Sequence, residues 1–294
     1  MTMTTTNGSP LAAPPDHEDC LVIRDLTVAY QRRVVLQHVS ADIRRGQVIG
    51  VIGPNGGGKS TLLKAILGIA PVVSGAITLF GRPASAMRAR MAYVPQREVV
   101  DWDFPVTVFD VAMMGRYPAA GWLRRPGPRD RDEVARVLGR VGMLEHRNTQ
   151  IGQLSGGQQQ RAFVARALAQ EADVLLLDEP MTGIDAGTQD VILDVIEEQR
   201  RLGRIVLLAT HDLVSASCAC DCLCCVNERM VSYGPLDETY TPENLAKTYG
   251  GPVIMLGRTD MVGRTDRPEP MHTHHPGDHA HHHHEHENLG REHD

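Results

Sequence analysis

Gly53-Pro54-Asn55-Gly56-Gly57-Gly58-Lys59-Ser60, with Thr61 behind it, has the form G-x-x-x-x-G-K-[ST]. It stands between the apolar run Val48 to Ile52 and the helix-forming stretch Thr61 to Leu67, the strand–loop–helix setting that this pattern requires. Glycines there let backbone N–H groups close around phosphate oxygens, and a helix N-terminus adds partial positive charge. Lys59 has the reach for β- and γ-phosphates, and the Ser60 hydroxyl suits Mg²⁺. The alternative is a glycine-rich turn that binds nothing.

Two further segments carry chemistry. Val174-Leu-Leu-Leu-Asp178-Glu179-Pro180 sets two successive carboxylates at the end of an apolar run. Asp178 would hold Mg²⁺ from outside its direct ligands, and Glu179 would polarise a water as general base. Leu154-Ser155-Gly156-Gly157-Gln158 opens a helix, since Ser155 and Gln158 have capping-box spacing and Phe163, Val164, Ala167 and Leu168 continue the period. A capped terminus with two glycines is open to an anion; by spacing alone it is also an ordinary helix start.

The elements that must hold these residues follow from hydrophobic pattern. Val48 to Ile52, Val174 to Leu177 and Ile205 to Ala209 are too short for helices and lack polar alternation, as strands covered on both faces do. Leu26, Val28 and Tyr30 share a parity in the opening strand, while Val191, Ile192, Val195, Ile196 and Leu202 recur at helix spacing. Strand and helix in alternation predict an α/β fold with a mostly parallel sheet. From Arg97 to Thr149 the pattern is helical with no buried strand, and the inserted helical subdomain is set at about 97–165.

Composition bounds the function class. The chain has 294 residues, 42% hydrophobic and 22% charged, with net charge −6. From Asp266 onward seven acids face two arginines, so five of the six net negative charges lie there. A near-neutral body lacks the basic footprint of a nucleic-acid binder. The amino end has no basic start followed by an apolar core, and no run reaches the roughly 18 apolar residues of a membrane span; these point to a cytoplasmic protein. Cys218, Cys220, Cys222, Cys224 and Cys225 crowd together, read either as small buried apolar residues or as a metal or redox cluster sharing a strand face.

Taken together, Leu154 to Arg161 (LSGGQQQR), Gly53 to Ser60 and Asp178-Glu179 resemble the ATP-binding subunits of ABC transporters over roughly Leu21 to Gly257. The resemblance implies a P-loop NTPase core with an antiparallel β subdomain and the inserted helical subdomain. It further implies Tyr30 as the aromatic that stacks on adenine, Gln96 as the glutamine linking Mg²⁺ to the transporter interface, Asp185 as the D-loop aspartate and His211 as a γ-phosphate contact. Ser60, Gln96 and Asp178 would serve Mg²⁺. Departures are Gly57, where many relatives have Ala, Ser or Cys, and Thr182-Gly-Ile-Asp185 for Ser-Ala-Leu-Asp. In this family two subunits sandwich two ATP molecules, the phosphate loop of one facing Ser155 to Gln158 of the other. A separate integral-membrane permease, an extracytoplasmic metal-binding protein and a place on the inner face of the cell membrane complete the implied system.

Val100-Asp-Trp102-Asp-Phe104-Pro-Val-Thr107 and Met114-Gly-Arg-Tyr117 resemble the ATPases of bacterial manganese, zinc and iron importers. Trp102 and Trp122 either anchor the permease or pack the helical subdomain. The remaining readings are an ATPase for an iron chelate or other small solute, and a non-transport ABC ATPase. The domain plan is a leader over 1–20, the ATPase domain over 21–257 and a tail over 258–294. That tail holds ten of the fourteen histidines: His272, His274, His275, His279, His281, His282, His283, His284, His286 and His293. Interleaved with carboxylates, neutral imidazoles take Zn²⁺ readily and Mn²⁺ least; a solvated tail or an affinity tag is the alternative.

Overall fold

The computed structural model describes residues 20–97, 102, 104–120 and 126–253. The chain runs β1 (Cys20–Tyr30), β2 (Arg33–Arg44), β3 (Val48–Ile52), α1 (Lys59–Ile66), β4 (Val72–Leu79), β5 (Arg82–Pro83) and β6 (Met91–Val94). Helices α2 (Val108–Met114), α3 (Tyr117–Ala120), α4 (Pro128–Arg140) and α5 (Gly156–Ala169) follow. Then come β7 (Val174–Asp178), α6 (Ala186–Arg201), β8 (Ile205–Thr210), α7 (Leu213–Ala219), β9 (Cys222–Asn227), β10 (Arg229–Pro235), α8 (Leu236–Thr239) and α9 (Pro242–Tyr249).

β3, β7 and β8 are buried along their whole length, because alternate residues feed two different cores. Val48, Ile52, Leu175, Leu177, Val206 and Leu208 enter a cluster roofed by α2, α4, α5 and α6. Ile49, Val51, Val174, Leu176, Ile205 and Leu207 enter a second, closed by α1 and by β1, β2 and β4. A strand covered on both faces has no polar side to show. Five strands pair in parallel in the order β9-β3-β8-β7-β6, whereas β1 pairs antiparallel with β2 and with β4. β10 joins the two parts, pairing antiparallel with β9 and parallel with β2. Since β8 lies between β3 and β7, Ile52 sits opposite Thr210 and Asp178 opposite Ala209. The loops leaving β3, β7 and β8 therefore converge at the carboxyl edge of the sheet, the usual ligand crevice of open α/β sheets.

Two local expectations are corrected, and of the two cysteine readings the buried apolar one is borne out for Cys220, Cys222, Cys224 and Cys225. Tyr30 does not share the buried face of Leu26 and Val28: it is 40% exposed. The β1–β2 register slips between Ile23 and Leu26 and again beyond Val28, with Asp25 at φ 44, so parity is reset along the strand. Leu202 is 60% exposed, because α6 ends at Arg201 before the helix period reaches it. The cysteines do not share one face. Cys222 and Cys224 point into one core and Cys220 and Cys225 into the other, while Cys218 is exposed on α7. Among the described residues no group of three or more His, Cys, Asp or Glu side chains is placed to hold a metal ion. Burial pushes the Cys220, Cys222, Cys224 and Cys225 thiols up, so they stay neutral and poorly reactive.

Candidate active site

The phosphate loop leaves β3 along the carbonyl of Val226 in β9. A Cβ on Gly53 would fall 1.9 Å from that oxygen, at φ 157, so only glycine fits. Gly58, also left-handed at φ 102, delivers the chain into α1. This turns Lys59 inward: it is 4% exposed, and its Nζ donates to the Gly53 and Pro54 carbonyls at 3.0 and 3.1 Å. Glu179 Oε1 lies 3.5 Å from the same ammonium. A buried cation needs such partners to offset lost hydration.

Asp178 ends β7 and is 1% exposed. Its Oδ1 accepts from Ser60 Oγ at 2.8 Å and its Oδ2 from Tyr93 Oη at 2.9 Å. Burial and then the Asp178 charge push the Tyr93 hydroxyl well above its ordinary value, which keeps it a neutral donor. Glu179, at φ 49, lies past the strand end, its N–H donating to Ala209 O at 2.9 Å. His211 Nδ1 stands 3.3 Å from Glu179 Oε2, and Thr182 Oγ1 donates to that oxygen at 3.3 Å. Asn55, Gly56, Gly58, Lys59, Ser60, Gln96, Glu179, Thr182 and His211 line one cavity of about 320 Å³.

Ser155 caps α5, as its spacing with Gln158 predicts. Its N–H donates to Gln158 Oε1 at 2.9 Å, and Gln158 N–H returns a bond to Ser155 Oγ at 3.3 Å. Gln158 Nε2 also meets His146 Nε2 at 3.2 Å. A Cβ on Gly157 would come 2.7 Å from Asp185 Oδ2 and Thr188 Oγ1. Asp185 caps α6, accepting from Thr188 N–H and Oγ1 at 2.9 Å each, and these bonds hold its carboxyl below the usual range. Thus Ser155, Gly156, Gly157, Gln158 and Asp185 form a second surface, and none of them lines the cavity. Nor does Tyr30, at the end of β1.

Tyr93 belongs to no motif, and sequence spacing gave no sign of it; Thr182 was noted only as a departure in the segment ending at Asp185, with no role at the cavity. Tyr93 lies on the short strand β6, beside β7, and only the pairing of these strands brings it to Asp178. The ten tail histidines and Trp122 lie outside the described residues.

The donor set fits a magnesium-bound nucleoside triphosphate. Gly56 has open space on its Cα, a buried ammonium faces the cavity, and hydroxyl, carboxylate and amide oxygens suit Mg²⁺. Similarity to known proteins agrees. The family profile described as ABC transporter matches residues 36–182. The manganese transport system ATP-binding protein of Bacillus subtilis is 46% identical over 232 residues, 79% of this chain and 93% of that protein. The zinc transport system ATP-binding protein of Treponema pallidum is 45% identical over 229 residues, 78% and 86% of the two chains. The solved ATP-binding subunit of an ABC transporter superposes with a TM-score of 0.67 at 25% identity, covering 75% of this chain and 91% of that one. With the phosphate loop, the paired carboxylates and the capped Ser155 helix in place, the chain belongs to the ABC transporter family as an ATP-hydrolysing subunit.

Proposed function

We propose that this subunit powers import of a divalent metal ion, manganese or zinc with iron in the same class, through a separate membrane permease. Hydrolysis rests on one observation above all: Lys59, Glu179 and His211 converge on a single cavity whose wall also carries Ser60 and Gln96. The cargo rests on the relatives, which are named for manganese and zinc transport.

Lys59 would bind the outer phosphates, exchanging its carbonyl partners for phosphate oxygens. Glu179, held between Lys59 and His211 with Thr182 on its outer oxygen, would orient a water for in-line attack. Ser60, Gln96 and, through water, Asp178 would hold Mg²⁺, which neutralises charge on the phosphate oxygens when bound. His211 would contact the γ-phosphate. Ser155 to Gln158, which do not line their own cavity, would close the site of a second copy in a homodimer, with Asp185 bracing Gly157 and Tyr30 stacking on adenine.

A groove of about 290 Å³ lined by Leu67, Met91, Tyr93, Met114, Gly115 and Arg166 is where we place the permease. Met114 in its lining is exposed, as is Tyr117 three residues further along the chain. Among the described residues no helix is long and apolar enough to cross a membrane, and the subunit would sit on the inner face of the cell membrane, served by an extracytoplasmic metal-binding protein. The ATPase domain is placed at 21–257, with a leader before it and a Zn²⁺-binding tail over 258–294.

Glu179→Gln tests the core of this reading. It should keep ATP binding and lose about a hundredfold or more in turnover, the scale of a general base. Unchanged hydrolysis removes Glu179 from that role. Uptake by vesicles holding the cognate permease, offered Mn²⁺, Zn²⁺ or an iron chelate, decides the cargo; uptake of the chelate alone overturns the metal-ion assignment.

A further inference from the structure

The residue after Gln96 is tied to the helix that Ser155 caps. Arg97 Nε and Nη2 donate to Gln159 Oε1 at 3.2 and 3.0 Å. Its guanidinium lies 5.9 Å above the Trp102 ring, and Trp102 Nε1 donates to the Arg97 carbonyl at 3.1 Å. The indole meets Phe163 of α5 edge-on at 5.1 Å. Gln159 is 4% exposed, and its Nε2 donates to Ile151 O at 3.2 Å. Loss of Arg97 would therefore leave a buried acceptor unsatisfied.

Farther along, α5 is fastened to β6. Arg166 Nη2 donates to Tyr93 O at 2.9 Å, and Gln170 Nε2, just past the helix end, to Met91 O at 2.8 Å. Positions 159, 163, 166 and 170 follow one stripe of a helix, so a single face is pinned to β6, Arg97 and Trp102. The two ends of that stripe differ in kind. Arg166 and Gln170 grip backbone of a sheet strand, whereas Arg97 belongs to the loop whose preceding residue, Gln96, lines the cavity.

The field of α5 does not favour this placement, which its hydrogen bonds and the Trp102 ring must hold against it. The guanidinium is so near the first turn of α5 that a Cβ on Gly156 would come within 2.9 Å of it. A cation beside a helix N-terminus is opposed by the macrodipole.

We propose that Arg97 is a positioning residue for ATP hydrolysis: its clasp on Gln159 sets the N-terminal turn of α5, and so Ser155 to Gln158, by the place that Gln96 takes in the cavity. This rests on the reading that Ser155 to Gln158 meet nucleotide held by a facing subunit.

The test compares Arg97→Met, Arg97→Lys, Gln159→Leu and the Arg97→Met/Gln159→Leu pair in the full-length chain. ATP affinity, by equilibrium titration, should stay within about twofold in all of them, since Arg97 does not line the cavity. The kcat per folded molecule should fall about tenfold in Arg97→Met with KM little changed, the scale of a lost charge-assisted hydrogen bond. Arg97→Lys, able to keep one bond, should recover part of it. The double variant should be no worse than the worse single one, because both remove the same pair. Normal kcat in Arg97→Met, or losses that simply add, overturns the proposal, as does a kcat that only tracks the folded fraction read from thermal melts. Should Arg97→Met not fold, Arg97→Lys and Gln159→Leu carry the same comparison. Ser155→Arg separates the two levels: normal hydrolysis there removes the underlying reading, whereas a dead Ser155→Arg beside a normal Arg97→Met removes this proposal alone.

Discussion

Asp178 takes one hydroxyl on each carboxylate oxygen, from Ser60 and Tyr93, and only the first of these donors sits in a recognisable motif. Because Tyr93 remains neutral far above its ordinary range, it can donate at every working pH. Tyr93→Phe should therefore leave the fold intact but raise the Mg²⁺ concentration for half-maximal ATPase activity by about tenfold, as expected for a lost hydrogen bond to a buried charge. An unchanged Mg²⁺ dependence would show that Ser60 alone orients Asp178. Lys59→Ala acts on a different quantity. It removes the ammonium that Lys59 brings to the cavity wall, so ATP binding itself should weaken by more than about tenfold, measured by equilibrium titration. The same deletion also leaves Glu179 without its cationic neighbour, and retained affinity would mean that the loop's backbone N–H groups suffice.

At the scale of elements, the joint between α5 and α6 depends on having no side chain at Gly157. Gly157→Ala would drive a Cβ against Asp185 Oδ2 and Thr188 Oγ1, forcing apart the α6 cap and the α5 terminus. The expected cost is about 1–2 kcal/mol of stability, the size of a lost cap, together with a fall in turnover; a thermal melt matching the parent contradicts it. The glycine was legible in the sequence as part of a capped terminus, but Asp185 as its neighbour was not, since the two meet only through packing of α5 on α6. The doubly covered strands β3, β7 and β8 were legible because burial on both faces leaves an unbroken apolar run. β6 was not, being four residues long, and β9 was veiled by cysteines whose two-faced burial resembles a ligand cluster until the pairing is known. That burial has its own consequence. A thiol reagent should modify Cys218 quickly in the native protein and Cys20, Cys220, Cys222, Cys224 and Cys225 only on unfolding; rapid labelling of a second site would disprove the assigned burial.

For the molecule as a whole, the engine and the histidine-rich tail separate cleanly in chemistry. Among the described residues, those of the cavity and of the Ser155 surface all lie before Asp212, and the last described helix, α9, closes at Tyr249. The tail beyond Gly257 has few apolar residues to bury against a core. Its deletion should thus leave basal ATP hydrolysis and ATP-driven dimerisation within about twofold of the full chain, and thermal melting nearly unchanged. Zn²⁺ binding should behave in the opposite way. Ten imidazoles among carboxylates would make a high-capacity site for borderline ions, so most Zn²⁺ bound by the full chain in an equilibrium titration near neutral pH should vanish with the tail. Ligation needs neutral imidazole, and protonation competes with the metal. Capacity should therefore be complete above the ordinary histidine value of about 6.5 and fade as pH falls through it. If the tail reports cytoplasmic metal to the engine, Zn²⁺ must change permease-coupled hydrolysis in the full chain and leave the truncated one indifferent. Equal responses would make the tail a store and not a sensor, and loss of basal hydrolysis on truncation would place part of the ATPase domain beyond Gly257.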